Sequence, residues 1–296
     1  MAPATTAEVT PALLREWSLP QPAGGKEGRG RTLVIGGSAE TPGAVLLAAE
    51  AALRSGAGKL QVATVASVAP GLALALPEAL VRGLEETPDG AVAARSADQL
   101  VELAEGADSV LLGPGLADVR EAGQLLRRLL PHVRSPLVVD ALALSAVTED
   151  VSCLAGCDGR VVLTPNPAEL GQTLGAPDRG DPTPERLRHD ALELAERAQA
   201  VVSVGGATAY VAAPDGRSWV DRSGGAGLGV SGSGDVRAGL VAGLLARGAD
   251  VAQAAVWAAH LHGRAGERLA STVGRIGFLA RELPPTVPAV LAEIEQ

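Results

Sequence analysis

Residues 31–65 read RTLVIGGSAETPGAVLLAAEAALRSGAGKLQVATV. Two short β-branched runs, 31–35 and 60–65, flank an Ala/Leu-rich stretch, 42–54, which opens with Pro42 and is followed by Gly56. Proline suits the first helical turn, where its missing N–H leaves no bond unmade, and glycine suits the position just past a helix end. The stretch is thus a strand, a Gly-Gly-Ser turn, a helix and the next strand. Repeated, that unit builds a mainly parallel sheet.

The pattern recurs outward. Further strands are expected at 109–112, 137–139, 160–163, 200–204, 209–212 and 217–220, and helices at 118–130, 184–198, 236–246 and 251–269. Pro214-Asp215-Gly216 is a turn sequence, so the last two strands are expected as an antiparallel hairpin at the sheet edge. The fold class is α/β, with a mainly parallel sheet. No internal repeat and no composition shift divides the chain, so 1–296 is expected as one domain with 1–30 as an N-terminal arm.

Composition narrows the function. With 47% hydrophobic residues and 2% aromatics among 296, the core must be Ala, Val and Leu. A net charge of −9 argues against nucleic acid as a partner. No apolar run reaches the roughly 18–20 residues of a membrane helix. No signal peptide is read in residues 1–11, and the expected compartment is the cytoplasm. Cys153 and Cys157 read as two small thiols rather than a disulfide framework or zinc site. The only lysines are Lys26 and Lys59.

The strongest site signal is Gly229-Val-Ser-Gly-Ser-Gly-Asp-Val-Arg-Ala-Gly239, running into an apolar helix. Glycines let the backbone turn sharply and approach a ligand. The free N–H groups opening the helix face that ligand with about half a positive charge, which suits a phosphate or a developing oxyanion. Asp235 at this mouth can orient or deprotonate an attacking hydroxyl. In the plainer reading it is the helix N-cap. Three more strand ends carry Gly or Pro punctuation: Leu33-Val-Ile-Gly-Gly-Ser38, Leu112-Gly-Pro-Gly-Leu116 and Leu163-Thr-Pro-Asn-Pro-Ala-Glu-Leu170. The first is neither a P-loop nor a dinucleotide fingerprint. Together they point to a ligand crevice along one edge of the sheet.

The ordered set Val34-Ile-Gly-Gly-Ser38, Pro42-Gly-Ala44, Leu53-Arg-Ser-Gly-Ala-Gly58, Leu112-Gly-Pro-Gly115, Val138-Val-Asp-Ala141, Leu163-Thr-Pro165, Gly205-Gly-Ala-Thr208 and Gly232-Ser-Gly-Asp235 resembles the ADP/ATP-dependent NAD(P)H-hydrate dehydratases. That family is a branch of the ribokinase-like superfamily, and the likeness runs from Lys26 to Leu269. It implies a ribokinase-like three-layer sandwich, with helices on both faces of the sheet. It also implies a repair reaction. NADH or NADPH hydrated across a ring double bond is phosphorylated on its new hydroxyl by a nucleotide, and loss of phosphate, a better leaving group than hydroxide, restores the ring.

Carried over by position, the resemblance makes Asp235 the catalytic group that positions and deprotonates the hydroxyl. It implies substrate contacts at Ala44, Gly115, Asn166 and Asp235, and nucleotide contacts at Gly205, Gly206, Thr208, Gly232 and Gly234. The implied co-substrate is ADP or ATP with Mg²⁺ on its phosphates, and no protein metal site. Implied partners are NAD(P)H hydrate, an adenine nucleotide, a separate NAD(P)H-hydrate epimerase and further copies of the chain.

Several positions depart from the pattern. The family's Lys before Gly-x-x-Thr is Val204, its Thr-Pro-His is Thr164-Pro-Asn166, and its His before Lys26 is Gly25. A second Asp after Asp140-Ala141 is Leu142, and an Asn near Gly225 is absent. Arg237, where an apolar residue is usual, is read as lying on the exposed side of the helix start, or else as supplying the charge that Val204 lacks. Asp140 is read as a crevice carboxylate rather than a helix cap, and His260 and His262 as packing or surface residues. A ribokinase-like small-molecule kinase and a nucleotide-binding pseudoenzyme stay open as alternative functions.

Overall fold

In the computed structural model, which describes residues 6–21, 24–176, 183–206 and 208–296, alternate residues of each central strand face opposite layers. The strands are β1 (Thr6–Glu8), β2 (Arg31–Ile35), β3 (Lys59–Val65), β4 (Ala79–Leu84), β5 (Ser109–Leu112), β6 (Leu137–Val139), β7 (Val161–Leu163), β8 (Val201–Val204), β9 (Ala209–Ala212) and β10 (Ser218–Asp221). On β2, Val34 enters one core while Leu33 and Ile35 enter the other, as the two-residue period of a strand requires. Both faces are dry, so these runs are continuously apolar. One core packs the helices Pro42–Arg54, Ser233–Ala246, Val251–Thr272 and Leu283–Glu295; the other packs Ala97–Glu105, Val119–Leu129 and Pro184–Ala198. The result is three layers.

The sheet order is β1-β10-β9-β8-β7-β6-β5-β2-β3-β4. Only β9 runs against its neighbours, β8 and β10. The expected hairpin is present, with Gly216 at φ 88° in its turn. It is not the outermost pair, because β1 lies parallel to β10 and Val9 N–H continues the ladder to the Val220 carbonyl at 2.8 Å. The described part of the expected arm is therefore built into the sheet, with Val9, Leu14 and Leu19 in the core. β1 and β4 were not expected from sequence; β4 carries Arg82 and Gly83 and is largely solvent-facing. Later in the expected arm lies a short helix, Gly25–Gly28, and residues 22 and 23 lie outside the described set.

From β2 the chain steps outward to β3 and β4, then returns to β5 on the other side of β2 and steps away again. Crevices that bind ligands lie outside the C-terminal strand ends at such a reversal. Ser109, the first residue of β5, donates to the Ala242 carbonyl at 2.8 Å. This tie places the C-terminal half of the Ser233–Ala246 helix at the start of β5, so the helix N-terminus rests at the far, crevice end. Glycines permit the close approach that holds it there. A Cβ on Gly239 would lie 2.1 Å from the Ala48 carbonyl oxygen, and one on Gly243 would lie 2.2 Å from that of Ala52.

Gly239→Ala is expected to lower stability by about 1–3 kcal/mol, through overpacking against backbone that has no room to yield. Gly43→Ala lies in the partner helix with nothing within 4 Å of its new Cβ, and should raise stability by up to about 1 kcal/mol. Urea unfolding midpoints that move in the same direction for both variants would contradict this packing.

Candidate active site

The site is built from strand ends and one helix start. Gly232 sits at φ 89° and is the N-cap of the Ser233–Ala246 helix, which has no side-chain cap bond. Asp235 is therefore the third residue of the first turn, inside the helix rather than capping it, and the plainer reading of Asp235 as N-cap does not hold. The helix starts three residues before its expected position because only glycine takes that left-handed cap readily. First-turn N–H groups lack intrahelical partners and turn the positive end of the helix toward the crevice.

Three carboxyl groups converge here. Asp140 follows β6, is buried, and accepts a 2.7 Å hydrogen bond from Thr164 Oγ1 just after β7. Asn166 caps the next helix, Pro167–Thr173: its Oδ1 accepts from Glu169 N–H at 2.9 Å, and Glu169 Oε2 accepts from Asn166 N–H at 2.8 Å. That reciprocal box pins Glu169 in place. Burial and the Glu169 charge push half-buried Asp235 up to about 6. Burial, then the Asp235 charge, push Asp140 up to about 8.

Beside them opens a cavity of about 310 Å³, lined in part by Asn166, Gly205, Gly206, Gly234, Arg237 and His262. No described residue outside its own helix turn stands within 4 Å of a Cβ placed on Gly234, so its backbone is open to a ligand. Gly232 and Thr208 stand off the cavity wall, and Ala207 lies outside the described residues. Ala44 and Gly115 are elsewhere, at the β2/β5 crevice. Gly115 has φ 70°, its Cβ would meet Ala44 Cβ at 2.9 Å, and its carbonyl accepts from Thr41 Oγ1 at 2.9 Å. Asp235 links the two places. A Cβ on Gly232 would lie 3.9 Å from Asp235 Oδ2 and 2.5 Å from Leu47, one helical turn on from Ala44.

Two sequence expectations change. Arg237 is not exposed; it is 4% accessible, and a Cβ on Gly205 would lie 1.7 Å from its Nη1. Residues four apart share a helix face, so Arg237 follows Ser233 toward the cavity. Val204 is wholly buried in the sheet. His262 is no mere packing residue: it lines the cavity, with Nε2 hydrogen-bonded to Ser233 Oγ at 2.9 Å. Burial, then Arg237, hold His262 down to about 3, so its imidazole is neutral. His260 does pack, buried with Nδ1 3.3 Å from Asp221 Oδ1. Cys153 and Cys157 are free, and burial pushes both thiols up, away from reactivity.

A family model described as NAD(P)H-hydrate dehydratase matches residues 32–289. The chain belongs to the NAD(P)H-hydrate dehydratase family. An ADP-dependent (S)-NAD(P)H-hydrate dehydratase of Xanthomonas campestris pv. campestris is 47% identical over 283 residues, 96% of this chain and 95% of the relative. A bifunctional NAD(P)H-hydrate repair enzyme of Moorella thermoacetica is 38% identical over 90% of this chain, which spans 50% of that longer protein. The solved ADP/ATP-dependent NAD(P)H-hydrate dehydratase of Bacillus subtilis, co-crystallised with ATP/Mg²⁺, superposes with a TM-score of 0.82 at 28% identity, covering 98% of this chain and 99% of that one. The ribokinase-like architecture expected from sequence is the one observed in this family member. No described helix is long and apolar enough to cross a membrane.

The buried Asp140 gives a pH test. Its carboxyl titrates near 8 in the fold against 3.8 ordinarily, so ionisation opposes folding. The stability it contributes is fully present below about pH 4 and is lost as pH rises to about 8. Asp140→Asn keeps an acceptor for Thr164 and cannot ionise. Its melting temperature relative to the parent is expected to be higher at pH 9 than at pH 5. A pH-independent difference would contradict the raised carboxyl.

Proposed function

We infer that this dehydratase-family chain phosphorylates the ring hydroxyl of hydrated NADH or NADPH with a nucleotide and then eliminates phosphate to restore the dihydronicotinamide. The observation that carries this is Asp235 at a helix N-terminus, set between the cavity of Gly205 and Gly206 and the crevice of Ala44 and Gly115. Nucleotide in the first and hydrated nicotinamide in the second would bring hydroxyl and phosphoryl group together at Asp235. Gly232 and Thr208 are proposed to shape the loops around the nucleotide, and Asn166 to face the ligands while holding Glu169.

The chemistry follows from the placement. Asp235 accepts the hydroxyl proton as that oxygen attacks the terminal phosphorus, and the bridging oxygen leaves with the shorter nucleotide. The open N–H group at Gly234 and the positive helix end balance charge on the transferring phosphoryl group. Phosphate then departs with the C–O electron pair, a proton leaves the adjacent carbon, and the ring double bond returns. Mg²⁺ on the nucleotide phosphates would neutralise part of their charge, and no step is assigned through it. The name of the 47% identical relative favours ADP as donor. A retained Asp235 favours an enzyme over a pseudoenzyme. A cytoplasmic setting, a single domain over 1–296, self-association and a separate epimerase complete the proposal.

Hydrated NADH incubated with the protein and ADP or ATP should recover the absorbance of intact NADH; no recovery with either nucleotide would end this reading. Asp235→Asn should lower turnover by about 10²–10⁴-fold while nucleotide affinity changes little. Because a protonated carboxyl cannot accept the proton, kcat/KM should fall about tenfold per pH unit below the Asp235 pKa of about 6. A flat profile through that range would remove Asp235 as the base.

A further inference from the structure

Arg237 is a buried cation in a costly place. It lies in the second turn of the Ser233–Ala246 helix, and helical side chains lean toward the N-terminus, so its guanidinium reaches back to the end that already carries positive charge. Its hydrogen bonds go to two backbone carbonyls, of Thr164 and Pro165, each at 3.4 Å. Among the described residues its Nε has no partner. Asp140 and Glu169 act on it through the field, without an ion pair among the described residues. A guanidinium carries five donors, and a buried charge left so poorly met is strongly unfavourable unless something else completes it.

The guanidinium also fills the space in front of Gly205, where a Cβ would lie 1.7 Å from Nη1, and it lines the 310 Å³ cavity with Gly206 and Gly234. Among the described residues lining that cavity, no other is a Lys or Arg. Lys59 opens β3 and pairs with Glu27, and the Lys26 carbonyl packs on Gly58, all at the N-terminal end of the sheet.

We propose that Arg237 is the cationic contact for the nucleotide's polyphosphate, its fork of donors seated behind Gly205 and facing the free N–H groups of the helix start. An anion there would answer the buried positive charge and the positive end of the helix together. This rests on reading the cavity as the nucleotide site.

The test is binding of ADP by calorimetry, and of adenosine by ligand-observed NMR, to the parent chain, Arg237→Met and Arg237→Lys. Arg237→Met should lose ADP affinity by at least about 30-fold and keep adenosine binding, while Arg237→Lys recovers part of the loss. Should the Met variant not fold, Arg237→Gln carries the same expectation, since it also lacks the charge. Equal ADP affinity in parent and Met or Gln variant would overturn the role of Arg237 and leave the nucleotide reading intact. Parallel loss of ADP and adenosine in folded variants would make Arg237 structural and overturn it too. A parent chain that binds neither would remove the nucleotide reading itself, and this inference with it.

Discussion

A Cβ at position 239 would stand 2.1 Å from a carbonyl oxygen of the neighbouring helix, and the site depends on that near-contact of two backbones. Gly239 and Gly243 bring the Ser233–Ala246 helix down onto Pro42–Arg54, and Ser109 fixes its direction along β5. Both helices then begin at the same edge of the sheet, outside the point where strand order reverses. Ala44 stands in the first turn of one and Asp235 in the first turn of the other. Two positive helix ends side by side favour anions more than either would alone. A larger residue at 239 would push this pair apart and shift Ala44 and Asp235 relative to each other.

The same edge crowds three carboxyl groups, and the crowding separates their roles. Asp140 is sealed under Thr164 and titrates near 8, whereas Asp235, only half-buried, titrates near 6. At neutral pH one is a neutral hydrogen-bonding group and the other is ionised. Environments that push like groups apart are how one fold divides acid and base work. Glu169 acts on both from outside, its field raising Asp235 and Asp140 alike. The Asn166 capping box holds Glu169 where it does so. A helix cap thus becomes part of the electrostatics of the site.

Most of the sheet was legible from sequence because strands buried on both faces must be short, apolar and β-branched. β1 and β4 were not, since edge strands carry no such signature; β4 holds Arg82 and Gly83 where a buried strand would hold aliphatics. Glycines of the site were legible through their turns. Arg237 and His262 were not. The Ser233–Ala246 helix is buried all round from Val236 to Ala246, so it has no polar stripe to show which face meets a cavity. An arginine there reads as surface until the neighbouring strand end, Gly205, is seen to leave room for it.

The chain carries a net charge of −9, yet its proposed ligands are polyanions. Net charge acts over the surface and is screened within about 8–10 Å at ordinary salt. The attraction therefore has to be local, fixed and partly desolvated, where screening is weak. The helix start at Ser233–Asp235 supplies one such source without a formal charge. The sheet supplies none, because Val204 is buried in the core and both lysines sit at its other end. Positive charge in the cavity must come from an element that reaches it from behind, and among the residues lining it Arg237 is the cation so placed. An acidic exterior and a locally positive cavity are compatible here because the two act over different distances.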